Sequence, residues 1–514
     1  MLSLILTFRK LSRKMILFII LTITAAGLLY LYLIWNFSYW SKRRVPSPKA
    51  KVLLGDLPNG ILRKENMAYD FERLYNKYKG KTPFVGIIQL RDPRLLILEP
   101  ELIKDVLVRK FHYFKNNEFA DMIDTKLDPL FAKNPFFLKD DEWKEKRAEI
   151  TPAFTTNRMK ALYPLIQDVS ARMVKYVTIE SKKPDPFDAR ELSAKYTTDV
   201  VSNCIFGVDA ESFTKENAKI REMGKKLFSS SPWIFIKMIL IESFKFLKRF
   251  IKIQFTEIEI QQFFVDLMKQ ALKYRDENNV QREDFLDYII QLRNKKNISE
   301  LEMASHTISF FSDGFETSSI AISHALYELG KSKRVQGKLR EEIKNNANKN
   351  GQISFEKLQE MSYLDQVFHE ALRMHPPLVT SSRLCSENVD LEYDGKKVTV
   401  EKGMSVFIPY LSVHYDPENF LEPKNFHPER FDDGAMKDYL DRCVLMPFGG
   451  GPRICLGMRF ALLQSKAALA AIVGNFEVTV NSKTQDNPLV IDPKEFLNIK
   501  TGGLWLDFKP LSEE

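Results

Sequence analysis

From Met15 to Trp35 the chain reads MILFIILTITAAGLLYLYLIW without a charged residue, and the next charge is Lys42. As a helix this run rises about 30 Å, enough to cross a bilayer, so the pattern predicts a transmembrane helix. Trp35, Tyr39 and Trp40 are expected at the interface as an aromatic belt. A cleaved signal peptide shares the apolar signature, but this run is long. Lys42-Arg43-Arg44 also stands where small residues should form a cleavage site. Residues 1–44 are therefore read as an uncleaved membrane anchor with its basic flank, and residues 45–50, with Val45-Pro46-Ser47-Pro48, as a stiff extended spacer. Arg9, Lys10, Arg13 and Lys14 precede the run and Lys42, Arg43 and Arg44 follow it, so the positive-inside rule alone does not orient it. A start at Met15 removes the first basic cluster and places the large domain in the cytosol.

From residue 51 to 514 no linker, repeat or low-complexity segment divides the chain, and one domain is expected. Most of it has helical periodicity. Ser299 and Glu302 form a capping box that opens a long central helix through Ile308, Phe311, Phe315, Ile320 and Leu326. A second helix covers 363–374, with Leu364, Val367, Phe368 and Ala371 on one face, and a third begins at Cys455 and continues to Val473. Strand patterns occur at 85–97, broken by a turn at Asp92-Pro93, and at 398–408, with a turn at Lys402-Gly403. The fold class is mainly α with a minor β portion. Segment 232–253 mixes Trp233, Phe235, Ile239, Leu240, Phe244 and Phe250 with Lys237, Lys245, Lys248, Arg249 and Lys252. It is either an amphipathic segment in a membrane interface or a core helix with a solvated basic face.

Composition sharpens this reading. Hydrophobic residues make up 44% and charged residues 28%, the balance of a globular chain with a sizeable core, and 38 Phe call for large apolar volumes. The net charge of +9 suits an anionic membrane surface or an acidic partner, or is simply a solvated lysine-rich surface. Four cysteines without a CxxC pair exclude a disulfide framework and a structural zinc site. Cys204, Cys385 and Cys443 read as plain thiols.

Cys455 is different. In Pro447-Phe448-Gly449-Gly450-Gly451-Pro452-Arg453-Ile454-Cys455-Leu456-Gly457 a Gly-rich loop delivers a lone Cys to a helix N-terminus. The helix dipole and free backbone N–H groups there favour a thiolate. Glycines let the backbone approach a flat cofactor closely, and Arg453 can pair a carboxylate. A phosphate-cradling loop needs Lys-Ser/Thr or GxGxxG after a strand, and neither is present. A merely structural cysteine leaves four glycines unexplained.

This stretch resembles the cytochrome P-450 superfamily, whose pattern Phe-x-x-Gly-x-Arg-x-Cys-x-Gly is met at Phe448, Gly451, Arg453, Cys455 and Gly457. The resemblance implies the cytochrome P-450 fold, with haem b between the long central helix and the Cys-bearing helix, and Cys455 as the iron ligand. Thiolate donation to the iron favours O–O cleavage. Trp143 and Arg147 match a helix that reaches a haem propionate, and Arg383, after Pro376-Pro377, resembles another propionate partner. Glu370 and Arg373 match a structural ion pair that Pro428-Glu429-Arg430-Phe431 completes. Asp313-Gly314-Phe315-Glu316-Thr317-Ser318 matches the oxygen-activation pattern: Gly314 lets the helix open, Thr317 hydrogen-bonds bound oxygen, and Glu316 relays protons. The departure is Asp313, where the family has Ala or Gly. Asp313, Glu316 and Thr317 are spaced to share one helical face, and burial should raise the Asp313 pKa. Asp313 is expected to narrow the pocket or join proton delivery; the bland alternative turns it to solvent.

By the same resemblance the chain is a monooxygenase that places one atom of O₂ in a lipophilic small molecule, a xenobiotic, lipid or hormone-like compound. NADPH acts indirectly, through the flavoprotein reductase of the endoplasmic reticulum, with cytochrome b5 a second candidate donor. The catalytic domain then faces the cytosol, and no nucleic acid is expected as a partner. Lys139, Lys144, Lys146 and Lys437 are expected to form the reductase docking face. Substrate contacts are expected from 111–137, 228–254, the central helix and 378–382. The general look is that of insect microsomal members, and fold does not select the substrate. The rival readings are a reductase-independent haem-thiolate isomerase or dehydratase, and a non-enzymatic haem sensor or carrier.

Overall fold

The computed structural model describes residues 2–228, 231–486 and 488–511. The central helix spans Glu300–Lys331, and its capping box forms as expected, with Ser299 and Glu302 each bonding the other's backbone N–H. Phe311, Phe315, Ile320 and Leu326 are buried along it. Each such side chain contributes about 1.5–3 kcal/mol of transfer free energy. The helix Ala189–Phe206 packs along it through Val200, Val201 and Cys204, and the helix Met458–Asn475 joins the same core. The helix Ser362–Met374 lies close to its expected bounds.

Among the described residues nine strands form three small sheets. They are β1 (Phe84–Gln89), β2 (Asp92–Ile97), β3 (Phe187–Asp188), β4 (Ser381–Leu384), β5 (Val389–Tyr393), β6 (Lys396–Val400), β7 (Ser405–Ile408), β8 (Phe476–Val480) and β9 (Trp505–Pro510). The largest sheet has the order β1-β2-β7-β4 and covers a second apolar core. Two strand expectations need correction. The first turn falls at Leu90-Arg91, because Gln89 pairs with Asp92 and Ile88 with Pro93. Pro93 is tolerated there since the parallel ladder with β7 begins only at Leu95. The Lys402-Gly403 turn forms, but β6 and β7 do not pair across it: β6 pairs with β5, and β7 lies between β2 and β4.

The helix Leu2–Ile34 contains a stretch, Lys14–Ile34, long and apolar enough to cross a membrane. Trp35 is exposed, but Trp40 is not part of an interfacial belt. It is 1% exposed and donates its indole N–H to the carbonyl of Ile87 at 3.0 Å. Gly86 makes room for it, since a Cβ there overlaps the indole. Nor does the proline segment stand free of the protein: Val45 is buried and the Pro46 carbonyl accepts from Gly86 N at 2.9 Å. Tyr32 stacks on Phe244 at 5.7 Å, which brings the N-terminal helix beside the 232–253 segment. That segment is a helix Pro232–Ser243 followed by a short turn, and Ser243 is its only buried helical residue. Trp233, Phe246 and Phe250 are each more than 60% exposed, so the core-helix alternative does not describe it.

Candidate active site

The loop before Met458–Asn475 is built by its glycines. Gly449 and Gly451 have φ of +76° and +67°, a region costly for other residues. A Cβ on Gly451 overlaps the carbonyl oxygen of Leu107 and lies 2.8 Å from its carbon, so backbone packs directly on backbone. Gly457 differs, for a Cβ there meets only Phe154, at 3.8 Å. Phe448 packs on the main core, and its carbonyl accepts from Cys455 N at 2.9 Å, closing the loop.

Cys455 has accessible surface, yet protein surrounds it, so its sulfur lines an enclosed space. Burial pushes the thiol up to about 11; Asp313 adds to the rise, while Gly457 N–H and Arg147 oppose it. The expected preference for a thiolate is therefore not met by the helix terminus. The helix begins three residues later than expected, and its dipole acts over little more than its first turn. A metal ion on the sulfur reverses that balance.

Three guanidinium groups gather nearby. Arg453 lies over Trp143, with Cζ 4.3 Å from the ring centroid, and donates to the carbonyl of Leu138 at 2.7 Å. Burial and then the like charges of Arg383 and Arg147 hold it down to about 9. Arg383 sits in β4 opposite Val406 of β7, and burial lowers its pKa. Arg147 lies a helical turn beyond Trp143 on Asp140–Ile150, and burial lowers its pKa while Cys455 raises it. Nε of Arg383 and Nε of Arg453 have no hydrogen-bond partner among the described residues. Buried, crowded and only partly bonded cations require anions. A thiol in an enclosed space beside guanidinium groups with free donors fits an iron porphyrin and its two carboxylates.

The central helix places Asp313 within electrostatic reach of Cys455. Asp313 also has accessible surface while being surrounded by protein, and burial raises it to about 6, as expected. The Thr317 hydroxyl donates to the Asp313 carbonyl at 2.7 Å, which leaves its oxygen lone pairs free to accept. Glu316 does not share their surroundings. It is buried against Arg190 of Ala189–Phe206, which pairs with it closely. Gly314 lies within a continuous helix; a Cβ there meets Val201 at 3.5 Å and Phe460 at 3.8 Å, ordinary contacts that impose no glycine.

Three neighbours carried no recognisable motif. Arg190 holds Glu316, and Asn134 donates to Asp313 at 3.4 Å. Gln464 donates to the Gly314 carbonyl at 2.9 Å and to the Ser318 hydroxyl at 2.8 Å, tying the central helix to the helix that follows Cys455. Only Gln464 left a signal, as an amide within an alanine-rich apolar helix. The Glu370–Arg373 pair forms as expected, fully buried, with bonds of 2.8 and 2.9 Å, and Arg430 donates to the same carboxylate. Lys146 leaves the expected docking face: it is buried between Glu149 at 2.9 Å and Glu302 at 3.0 Å.

The family model described as Cytochrome P-450 matches residues 45–506. Probable cytochrome P-450 28a5 of Drosophila melanogaster is 40% identical over 496 residues, 94% of this chain and 97% of that protein. Probable cytochrome P-450 309a2 of the same fly is 33% identical over 460 residues, 88% of this chain and 85% of that protein. Cytochrome P-450 6A1 of Musca domestica is 32% identical over 500 residues, 95% of this chain and 97% of that protein. With a match of this extent laid over a buried thiol and its ring of guanidinium groups, the chain belongs to the cytochrome P-450 family of haem-thiolate monooxygenases.

Proposed function

We propose that the protein is a membrane-anchored monooxygenase that takes electrons from NADPH through a separate flavoprotein reductase and oxidises a lipophilic small molecule. The observation that carries this reading is the enclosed Cys455 sulfur, with Arg147 and Asp313 within electrostatic reach of it and Arg383 and Arg453 gathered with Arg147. When bound at Cys455, haem b supplies the chemistry that activates O₂.

The residues of the chain do the rest. Cys455 Sγ is the iron ligand. Arg147, Arg383 and Arg453 bind the two carboxylates of the cofactor, and Trp143 supports Arg453 from below. Phe448 and Gly451 shape the loop that holds the sulfur, and the Gly457 backbone N–H bonds to it. Thr317, its own proton committed to the Asp313 carbonyl, offers an acceptor oxygen toward the substrate space. Glu316 links that region to water through Arg190, whose side chain is 39% exposed. Proton delivery therefore requires the Arg190–Glu316 pair to loosen. Gly314 presents its carbonyl to Gln464, and Asp313 narrows the space beside Thr317.

The reading extends to location. The apolar stretch Lys14–Ile34 is long enough to span a membrane, and the resemblance to microsomal members implies the endoplasmic reticulum with the catalytic part facing the cytosol. The exposed Trp233, Phe246 and Phe250, flanked by lysines in the segment whose Phe244 stacks on Tyr32, rest in the membrane interface. Lys144 and Lys437 remain to attract an acidic reductase surface, while Lys139 is paired with Asp121, and cytochrome b5 suits the same face. The substrate class we propose, xenobiotics or endogenous lipids and hormones, follows from the resemblance to insect microsomal members alone.

The test is turnover of a lipophilic panel by the full-length protein in microsomes, with and without reductase. Product that needs both NADPH and reductase supports the proposal. Product without reductase points to an isomerase or dehydratase, and ligand-induced spectral shifts without product point to a carrier.

A further inference from the structure

Buried carboxylates in this protein are commonly held by cations: Glu316 by Arg190, Glu370 by Arg373 and Arg430, Asp284 by Arg275. Asp313 departs from that practice at the most consequential place. The residue retains accessible surface inside a region enclosed by protein, within electrostatic reach of Cys455. Its two hydrogen-bond donors are both neutral, Ser312 Oγ at 3.0 Å and the Asn134 amide at 3.4 Å. No Lys, Arg or His pairs with it among the described residues. The second donor is long, and two donors leave part of the carboxylate's acceptor capacity unused.

The position also has a defined neighbourhood. Asn134 belongs to the 111–137 loop, so the carboxylate sits where that loop meets the central helix. Phe136 and Phe137 of the same loop pack edge-on at 5.1 Å, Phe119 lies 5.7 Å from Phe136, and Phe496 closes on Phe119 at 5.4 Å. An unpaired acid close to an aromatic cluster is a combination that favours an organic cation. The acid supplies charge, and aromatic faces attract a positive nitrogen while packing on its hydrocarbon. A neutral substrate instead leaves the carboxylate desolvated and unpaired, which is unfavourable.

We propose that Asp313 is a specificity-determining residue that selects lipophilic substrates bearing a positively charged nitrogen. This rests on the monooxygenase reading above and narrows its substrate class. The carboxylate pairs the cation beside Thr317, and the apolar remainder of the ligand extends toward the phenylalanines of the loop.

The experiment compares two ligands on the full-length holoprotein by equilibrium dialysis. One is (4-phenylbutyl)trimethylammonium, a permanent cation with no lone pair for the iron; the other is its all-carbon isostere. Each preparation is first checked for the reduced-CO spectrum of a thiolate-ligated haem. The wild type binds the cation more tightly than the isostere. Asp313→Asn lowers that preference by about tenfold, equivalent to about 1.4 kcal/mol. Asp313→Glu retains it. A preference unchanged by Asp313→Asn overturns the proposal, as does a wild type that favours the isostere, a result that needs no variant. A wild type without the reduced-CO spectrum overturns the monooxygenase reading itself, and this proposal with it.

Discussion

Replacing Gly451 by alanine tests whether the cysteine loop is built by backbone contact. Gly451 has φ of +67°, and its missing Cβ would overlap the Leu107 carbonyl oxygen and lie 2.8 Å from the carbonyl carbon. The left-handed conformation alone costs a side-chain-bearing residue about 1–2 kcal/mol. The overlap adds about 1–3 kcal/mol, since the atoms met are backbone and cannot rotate away. The sum is about 2–5 kcal/mol. Stability effects per degree shrink with chain size, so each kcal/mol corresponds to about 1–2 °C here, by extension of the scaling for smaller domains. Gly451→Ala should therefore lower the thermal midpoint by about 2–10 °C, followed as loss of the reduced-CO absorbance of the full-length protein. Gly457→Ala is the control: its Cβ meets Phe154 at 3.8 Å without overlap, and a change within about 0.5 kcal/mol is expected. Equal midpoints for Gly451→Ala and wild type would refute the reasoning.

Other outcomes follow from the same geometry. Arg373→Met leaves Glu370, 0% exposed, with Arg430 as its remaining cation and frees the His414 carbonyl; a loss of about 3–5 kcal/mol should appear as a collapse in yield of folded holoprotein. Gly86→Ala drives a methyl into the Trp40 indole, 2.6 Å from Cε2, and should shift tryptophan fluorescence and lower the thermal midpoint. Glu302 is held down to about 2, first by the Ser299 backbone N–H and then by Lys146. Because its folded pKa is depressed, its stabilisation is present above the usual value of about 4.3 and is lost as pH falls toward 2. Glu302→Gln should thus be less stable than wild type at neutral pH, with the gap closing in acid, as measured by thermal midpoints across that range.

What could be read in advance was chemistry confined to neighbouring residues. The loop from Phe448 to Gly457 carries its glycines, arginine and cysteine within ten positions, and the Ser299–Glu302 box needs only one helical turn. Contacts between distant segments were not legible. Nothing near Glu316 announces Arg190, 126 residues away, and nothing near Trp40 announces the slot at Gly86. Local rules also misled where tertiary structure overrode them. Asp92-Pro93 has turn composition, yet the β1–β2 register moves the turn to Leu90-Arg91 and gives Leu90 a φ of +57°. Lys146 looks like surface charge on a helix rich in acids and lysines, but Glu149 and Glu302 draw it inside. Glu316 and Thr317 lie three and four residues after Asp313, a spacing that predicts one shared face; pairing with Arg190 of Ala189–Phe206 takes Glu316 away from it.

Ligation of the haem iron by the Cys455 thiolate is the proposed assignment on which the other roles depend. The direct measurement is the reduced-CO difference spectrum of the full-length protein beside Cys455→His. The expected result is the thiolate-type band in the wild type and its replacement by the band of nitrogen-ligated haem in the variant. A thiolate-type band that survives Cys455→His, or a wild type that binds haem without it, would contradict the account.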